Sequence, residues 1–420
     1  MTLPLSGSLS MTMITNELGV GQASCARLGS AIFRELAGVP SGAIEFSDFY
    51  GKTYIIVYPT NILTWGRNGS GSLGDNSTAN RSSPGTTAGG GTTWCQVSGG
   101  SYHTAAVKTD GTLWTWGYNG EGILGNNSSV IRSSPGTVAG EGTTWRQVSA
   151  GRLHTAAVKT DGTLWTWGAN SSGELGTNTT ISRSSPGTTA SGGTTWCQVS
   201  SGGSHTAAVK TDGTLWTWGS NLNGVLGTGN SGATSRSSPG TTAGGGITWC
   251  QVSSGNQHTA AIKTDGTLWT WGEAGSGRLG HDSTTDRSSP GTTAGGGTTW
   301  CQVSAGLYHT AAIKTDGTLW TWGNNGSGRL GNNSVVSRLS PVTTAGGGIN
   351  WCQASADGAN TAAVKTDGTL WTWGFNFYGT VGDNTTANRS SPVTPSGGGT
   401  SWCQVSTGSN YFTAAVKSIE

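Results

Sequence analysis

Charge is scarce in this chain. Only 10% of its 420 residues are Asp, Glu, Lys or Arg, and the formal net charge is +2. Nucleic acid and anionic membranes require clustered Lys and Arg, so neither is predicted as a partner. No apolar run reaches the length of about 18 residues that a membrane-spanning helix needs, so no membrane insertion is predicted. The first residues also lack the basic flank and apolar run of a secretory signal.

Metal-binding and catalytic patterns are lacking as well. Six of the seven cysteines recur in the unit Trp-Cys-Gln, one repeat apart, and none forms a Cys-x-x-Cys pair. We interpret these six as buried and reduced. No Ser-His-Asp set and no carboxylate pair stands out from the repeats. We therefore predict that the chain is not an enzyme and that it binds no metal and no cofactor.

What the chain does have is repetition. Trp-Gly pairs recur from Trp65 to Trp373 in steps of 51 residues, apart from one step of 53 residues before Trp271. A period of about 40 to 50 residues, with short strands and Gly-rich turns, is typical of propeller blades or of a solenoid. Both architectures stay open at this point.

Four strands are predicted in each repeat: HTAAVK, then TLWTWG after an Asp-Gly turn, then a weaker edge strand at RSSPGTT, then TTWCQVS. Trp114 and Trp116 share one face of their strand because side chains alternate, and we expect them to pack between blades. Ala105 and Ala106 are the smallest strand residues. We therefore expect HTAAV to be the innermost strand, where strands crowd together.

One repeat is split between the two ends of the chain. The C-terminal FTAAVK begins at Phe412, and its missing partner NILTWG occupies residues 61–66. Pairing these segments closes a ring and leaves no exposed edge strand, whereas a solenoid would need capping repeats. The predicted fold class is therefore all-β, a seven-bladed β-propeller closed by its N- and C-terminal strands. TYIIVY, at residues 53–58, is predicted to be a connecting strand outside the ring.

The repeat also resembles a known family. Residues 98–125 show the order of the repeat in full. It consists of Gly, two residues, His, an apolar run, Asp-Gly, Trp-Gly, Asn and Leu-Gly. This order is similar to the RCC1 repeat, and the resemblance implies a seven-bladed propeller, which we assign to residues 53–420. It transfers no activity, because one fold carries many functions.

Residues 1–52 differ from the repeats. SAIFRELAG has a serine cap and a terminating glycine, so a short helix is predicted there. LPLSGSLSMTMITNELG, LAGVPSGAI and SDFYGK resemble an N-terminal module of bacteriophage tail and baseplate proteins. The resemblance implies a small α+β module at residues 1–52 that anchors the chain to a virion. The anchoring residues predicted are Leu18, Ile32, Phe33, Leu36, Phe49 and Tyr50.

Differences among the repeats concentrate after Trp-Gly and in the two residues before the repeat histidine. In an antiparallel blade both positions lie on one face of the disc, and loops on a rigid scaffold are where binding concentrates. The alternative is neutral drift of solvent-facing loops. Tyr, Phe and Arg are favoured at interfaces. The ligand-binding residues predicted are Tyr102, Tyr118, Arg152, Leu153, Gln257, Leu307, Tyr308, Phe375, Phe377, Tyr378 and Tyr411.

Three functional hypotheses follow. The first is a bacteriophage virion protein, a tail-fibre-like tail or baseplate appendage that binds a host-surface glycan or protein. Its location would be the virion, after assembly in the host cytoplasm and release by lysis. Its partners would be other virion proteins, through residues 1–52, and further copies on the particle. The second is a virion component without a receptor, such as a capsid decoration or cement protein. The third is a cellular RCC1-like interaction protein.

Overall fold

The structure is a computed structural model that describes residues 59–140, 142–230, 234–243, 246–346 and 348–419. Within these ranges, 28 strands form seven four-stranded antiparallel sheets, the blades of a propeller. The predicted seven-bladed, all-β fold is therefore confirmed for this part of the chain. The predicted α+β module and the strand at residues 53–58 lie outside the described residues. So do the predicted anchoring residues Leu18, Ile32, Phe33, Leu36, Phe49 and Tyr50.

The strands are short, with five to seven residues each. In chain order they are β1 (Thr60–Gly66), β2 (Arg81–Thr86), β3 (Trp94–Gly99), β4 (His103–Lys108), β5 (Leu113–Gly117), β6 (Arg132–Thr137), β7 (Trp145–Ala150), β8 (His154–Lys159), β9 (Leu164–Gly168), β10 (Arg183–Thr188), β11 (Trp196–Ser201), β12 (His205–Lys210), β13 (Leu215–Gly219), β14 (Arg236–Thr241), β15 (Trp249–Ser254), β16 (His258–Lys263), β17 (Leu268–Gly272), β18 (Arg287–Thr292), β19 (Trp300–Ala305), β20 (His309–Lys314), β21 (Leu319–Gly323), β22 (Arg338–Thr343), β23 (Trp351–Asp357), β24 (Asn360–Lys365), β25 (Leu370–Gly374), β26 (Arg389–Val393), β27 (Trp402–Gly408) and β28 (Phe412–Ser418). Two 3-10 turns, Leu222–Gly224 and Gly275–Gly277, follow β13 and β17.

Blade one consists of β3, β4, β5 and β6, in that order from the axis outward, and the next five blades repeat this order. The innermost strand is therefore WCQVS, and the prediction that HTAAV is innermost is wrong. HTAAV is the second strand of each blade. The proline-containing RSSPGT strand lies at the outer edge, as its sequence predicts.

The innermost position follows from how strand edges are satisfied. An innermost strand has one edge without a strand partner, so its backbone groups need other acceptors and donors. Gln96 Oε1 accepts a hydrogen bond from Val148 N at 2.9 Å, and Gln96 Nε2 donates to Val148 O at 3.1 Å. Ser98 Oγ accepts from Ala150 N at 3.0 Å. Gln and Ser of WCQVS thus satisfy the backbone of the next blade, whereas HTAAV is paired on both edges.

The ring is closed by strands from both ends of the chain. In blade seven, β27 and β28 are followed outward by β1 and β2. β1 pairs with β28 over seven residue pairs, from Thr60 opposite Ser418 to Gly66 opposite Phe412. Gln404 of β27 then accepts a hydrogen bond from Val97 N of blade one at 2.7 Å. The predicted pairing of the two chain ends is confirmed.

The core lies between blades. Trp116 is fully buried and packs edge-on against Trp94, with Ala414 and Val416 of blade seven in the same cluster. Its indole N–H donates to the carbonyl of Ser72 at 2.9 Å. Truncating such a tryptophan to Ala typically costs about 3–5 kcal/mol. Trp114 is half-buried and packs against the same cluster, so the predicted packing of both tryptophans between blades is confirmed.

The cysteines lie at the edge of this core, and Cys95, Cys197 and Cys352 pack against its clusters. Cys250, Cys301 and Cys403 are exposed, and Cys95, Cys197 and Cys352 are half-buried. The prediction that all six are buried is wrong because each is the second residue of an innermost strand, near the face of the disc that carries the Asp-Gly turns. The thiol of Cys95 donates to the carbonyl of Val107 at 3.3 Å.

Candidate functional site

The antiparallel strand order gives the propeller two different faces. On one face the second and third strands are joined by repeated Asp-Gly turns, and we call it the invariant face. On the other face, each innermost strand turns into the second strand and each third strand leaves toward the outer one. We call this the variable face because both variable sets of positions lie on it.

A backbone hydrogen bond joins the two variable sets within each blade. Tyr118 N donates to Tyr102 O at 2.9 Å, Asn324 N donates to Tyr308 O at 3.0 Å, and Arg67 N donates to Tyr411 O at 2.8 Å. The residue after Trp-Gly therefore always adjoins the residue before the second strand. Side chains from the two sets are brought into contact, although they are separated in sequence.

Six of the seven loops that follow Trp-Gly are held by the same asparagine, which Ala274 replaces in the loop after β17. In blade one, Asn119 Oδ1 accepts from Leu124 N at 3.0 Å, and its Nδ2 donates to the carbonyls of Ser128 and Val130. Asn119 is fully buried. A buried amide that bonds the loop at both ends fixes the loop backbone, so the variable side chains project from a rigid support.

Four of the predicted residues form one aromatic patch, which consists of Phe375, Phe377, Tyr378 and Tyr411. The ring centroids of Phe375 and Tyr411 are 4.8 Å apart, and those of Phe377 and Tyr378 are 5.0 Å apart. Phe377 is 66% exposed. The guanidinium of Arg67 lies 5.2 Å from the Tyr378 ring centroid and donates to Asn410. This patch joins blades six and seven beside the strand pair that closes the ring.

Tyr308 lies between two arginines on the same face. Its ring centroid is 5.3 Å from Arg278 Cζ and 5.8 Å from Arg329 Cζ, and the side chain is 44% exposed. Arg67, Arg278 and Arg329 are absent from the predicted site residues. The signal that identifies them is their departure from the other repeats at the variable positions after Trp-Gly.

The remaining predicted residues are distributed around the same face. Tyr102 and Tyr118 contact each other, with centroids 5.9 Å apart. Arg152 and Leu307 line a small cavity of about 30 Å³ at the mouth of the axis. Leu153 and Gln257 are half-buried and are not part of the aromatic patch. A binding role for each of these eleven residues stays a prediction.

The repeat histidines are structural. His103 Nε2 lies 2.8 Å from Thr155 Oγ1 of the next blade, and that hydroxyl donates its only proton to Ile123 O. The histidine therefore donates from Nε2 and is neutral. Complete burial lowers the pKa of His103 to about 3 and that of His154 to about 4, chiefly by desolvation.

Asp357 is a half-buried carboxyl group at the axial cavity and is absent from the predicted site residues. It lies where the other blades carry glycine, and it accepts hydrogen bonds from Ser409 Oγ at 2.6 Å and Gly358 N at 2.8 Å. Desolvation raises the pKa of Asp357 to about 7.

Among the described residues, no group of three or more His, Cys, Asp or Glu side chains is placed to hold a metal ion. No helix in the described ranges is long and apolar enough to cross a membrane.

The chain is similar in sequence and in fold to known proteins. A family profile described as RCC1-like domain matches residues 61–414. The ultraviolet-B receptor UVR8 of Arabidopsis thaliana is 32% identical over 302 residues, which cover 71% of this chain and 68% of that protein. The E3 ubiquitin-protein ligase HERC2 of Homo sapiens is 30% identical over 256 residues, 60% of this chain but 5% of that protein. Yeast RCC1 (Prp20), solved with Kap60, has a TM-score of 0.77 at 17% identity, over 90% of this chain and 97% of that one, which shows the fold alone.

UVR8 and HERC2 are proteins of plant and human cells. The predicted bacteriophage function is therefore wrong, both as a tail or baseplate appendage and as a virion component without a receptor. The predicted virion location, virion partners and host-surface ligand are wrong for the same reason. The third hypothesis, a cellular interaction protein, is the one that the relatives favour. The division of the chain at residue 52 stays a prediction.

Proposed function

The chain belongs to the RCC1-like domain family, and from that premise we propose that it is a cellular, non-catalytic interaction protein. It binds a protein partner through the variable face of the propeller. The observation that carries this proposal is the aromatic patch, in which four aromatic rings and Arg67 are grouped on a rigid support.

A protein is the partner that this chemistry favours. Aromatic side chains and arginine dominate the energetically important parts of protein interfaces, and they bind most tightly when neighbouring contacts exclude water. Phe377 is 66% exposed, and its ring contacts are with Phe375 and Tyr378 of the same patch. The ligase activity named for HERC2 is not part of the proposal, because the match covers only 5% of that protein.

The test compares two exposed apolar residues on opposite faces. Phe377 is 66% exposed on the variable face, and Ile247 is 70% exposed on the invariant face. The tagged full-length chain is incubated with extract of its source cells, and the partner is identified by mass spectrometry and then purified. We expect F377A to weaken binding of that partner about tenfold or more, as for an interface hot spot, and I247A to leave it unchanged. Equal affinity of F377A and wild type would contradict the proposal.

A further inference from the structure

Arg329 lacks the carboxylate partner that Arg278, its counterpart in the preceding repeat, has in Glu273. Arg278 and Arg329 occupy the same position of successive repeats, after β17 and β21. Arg278 is 4% exposed, and its Nη1 lies 2.9 Å from Glu273 Oε2. The position that matches Glu273 in the next repeat is Asn324. Among the described residues, no carboxylate forms an ion pair with Arg329.

The two arginines are held by equivalent main-chain carbonyls. Arg278 Nη1 donates to Leu307 O at 3.0 Å, and Arg329 Nη1 donates to the equivalent carbonyl, that of Gly358, at 3.4 Å. The main-chain carbonyls of Arg278 and Arg329 themselves each accept a tryptophan indole N–H at 2.9 Å. The two side chains are therefore fixed at equivalent places. They differ in the glutamate and in the Nε of Arg278, which donates to Gly275 O at 3.1 Å.

Arg329 is a buried charge for which the described residues provide no carboxylate partner. It is only 7% exposed, and its Nε has no hydrogen-bond partner. The Asn324 amide is engaged elsewhere, with Ser276 and Gly326. The neighbouring Asp357 accepts from Ser409 and Gly358 N instead. An arginine held out of water normally has a carboxylate partner, because the cost of desolvating an unpaired charge is several kcal/mol.

The position beside Arg329 that corresponds to the Glu273 carboxylate is open to solvent. In the preceding repeat, Glu273 occupies it with 25% of its side chain exposed. Beside Arg329, the half-exposed ring of Tyr308 borders the same place. A carboxylate arriving from outside can therefore reach Arg329 as Glu273 reaches Arg278.

We propose that Arg329, bordered by Tyr308, binds a carboxylate side chain of the protein that docks on the variable face. This inference rests on the proposed function, since it names one group of the partner of that face. The Glu273–Arg278 pair within the chain is its template, because it shows which group fits the guanidinium at this position of the repeat.

The experiment uses the full-length chain with 15N-labelled arginine side chains. The Nε–H signal of Arg329 is identified by its loss in R329K and is then followed by NMR during titration with N-acetylglutamate amide. N-acetylglutamine amide is the neutral control, and inorganic phosphate is a separate arm. We expect a saturable shift at Arg329, with a Kd on the order of 10 mM for a single ion pair, no comparable shift at Arg278, and none with the neutral probe.

The matched variant is Asn324→Glu, which copies Glu273 into the next repeat. We expect it to remain folded, to shift the Arg329 signal without any probe, and to abolish the response to N-acetylglutamate amide. An unresponsive Arg329 in the wild type, an equal response in N324E, or a stronger response to phosphate would overturn the inference. None of these results touches the proposed function, which depends on the separate comparison of F377A with I247A.

Discussion

At the residue scale, one departure from the repeat introduces a titratable side chain, because Asp357 replaces a glycine. Asp357 lies where the other blades carry Gly100, Gly151, Gly202 and their equivalents, and it is half-buried beside the axial cavity. Ser409 and Gly358 N donate to it, but desolvation outweighs these hydrogen bonds. The pKa of Asp357 therefore rises from its ordinary value of 3.8 to about 7.

This raised pKa predicts a loss of stability with rising pH. The folded chain holds the proton up to about pH 7, whereas the unfolded chain releases it near pH 4. The unfolding free energy therefore falls as the pH rises through that window, by at most about 4 kcal/mol. We expect D357N to unfold at a higher temperature than wild type at pH 8 and at nearly the same temperature at pH 4.

Thermal unfolding followed by circular dichroism measures this difference. D265N is the control, because Asp265 is an exposed hairpin aspartate whose pKa is lowered by hydrogen bonds from Thr267. We expect no gain in stability from D265N at pH 8. If wild type and D357N lose stability in parallel between pH 4 and pH 8, Asp357 is not the titrating group.

At the element scale, the innermost strand depends on side chains that replace a missing strand partner. Gln198 Oε1 accepts from Val252 N at 2.9 Å, and its Nε2 donates to Val252 O at 3.3 Å. The same Gln contact recurs between neighbouring innermost strands, including blades seven and one. WCQVS strands are thus linked into a ring without forming a continuous sheet.

Removing one of these links should destabilise the propeller. Q198L leaves Val252 N–H without its acceptor, and an unsatisfied buried donor costs about 1–3 kcal/mol in addition to the lost hydrogen bonds. We expect Q198L to unfold at a lower urea concentration than wild type, with an unchanged slope of unfolding free energy against urea concentration. Q257L is the matched control, since Gln257 lies half-buried on the variable face and we expect its midpoint to stay within error of wild type. A midpoint for Q198L equal to that of Q257L would contradict this role of Gln198.

The strands also show what sequence patterns can establish. The repeat length, the Asp-Gly turns and the split copy suffice to predict seven blades and the pairing of β1 with β28. The radial order is not predictable from side-chain size, because Ala105 and Ala106 are small for another reason. Ala105 is covered by blade two and Ala106 by blade seven. The candidate site is only partly predictable, because the position of Arg278 relative to Tyr308 depends on the contact between neighbouring blades.

At the scale of the whole molecule, closure links every blade to two neighbours. β28 pairs with both β27 and β1. Its residues also serve two inter-blade cores: Ala414 and Val416 pack against blade one, and Ala415 packs against blade six. One strand therefore supports three blades, and the aromatic patch lies at its start, where Tyr411 contacts Phe375.

Removing β28 should therefore disrupt more than blade seven. We expect a chain that ends at residue 411 to unfold at a temperature lower by at least about 10 °C, whereas removal of residue 420 alone should have no effect. Hydrogen exchange gives the sharper measurement. Because ring closure transmits the loss to both neighbours, amides of β4 in blade one and β24 in blade six should lose protection, while those of β12 in blade three should retain more of it. A uniform loss of protection in all blades would indicate global unfolding, and unchanged protection in blades one and six would show that the ring does not depend on this closure.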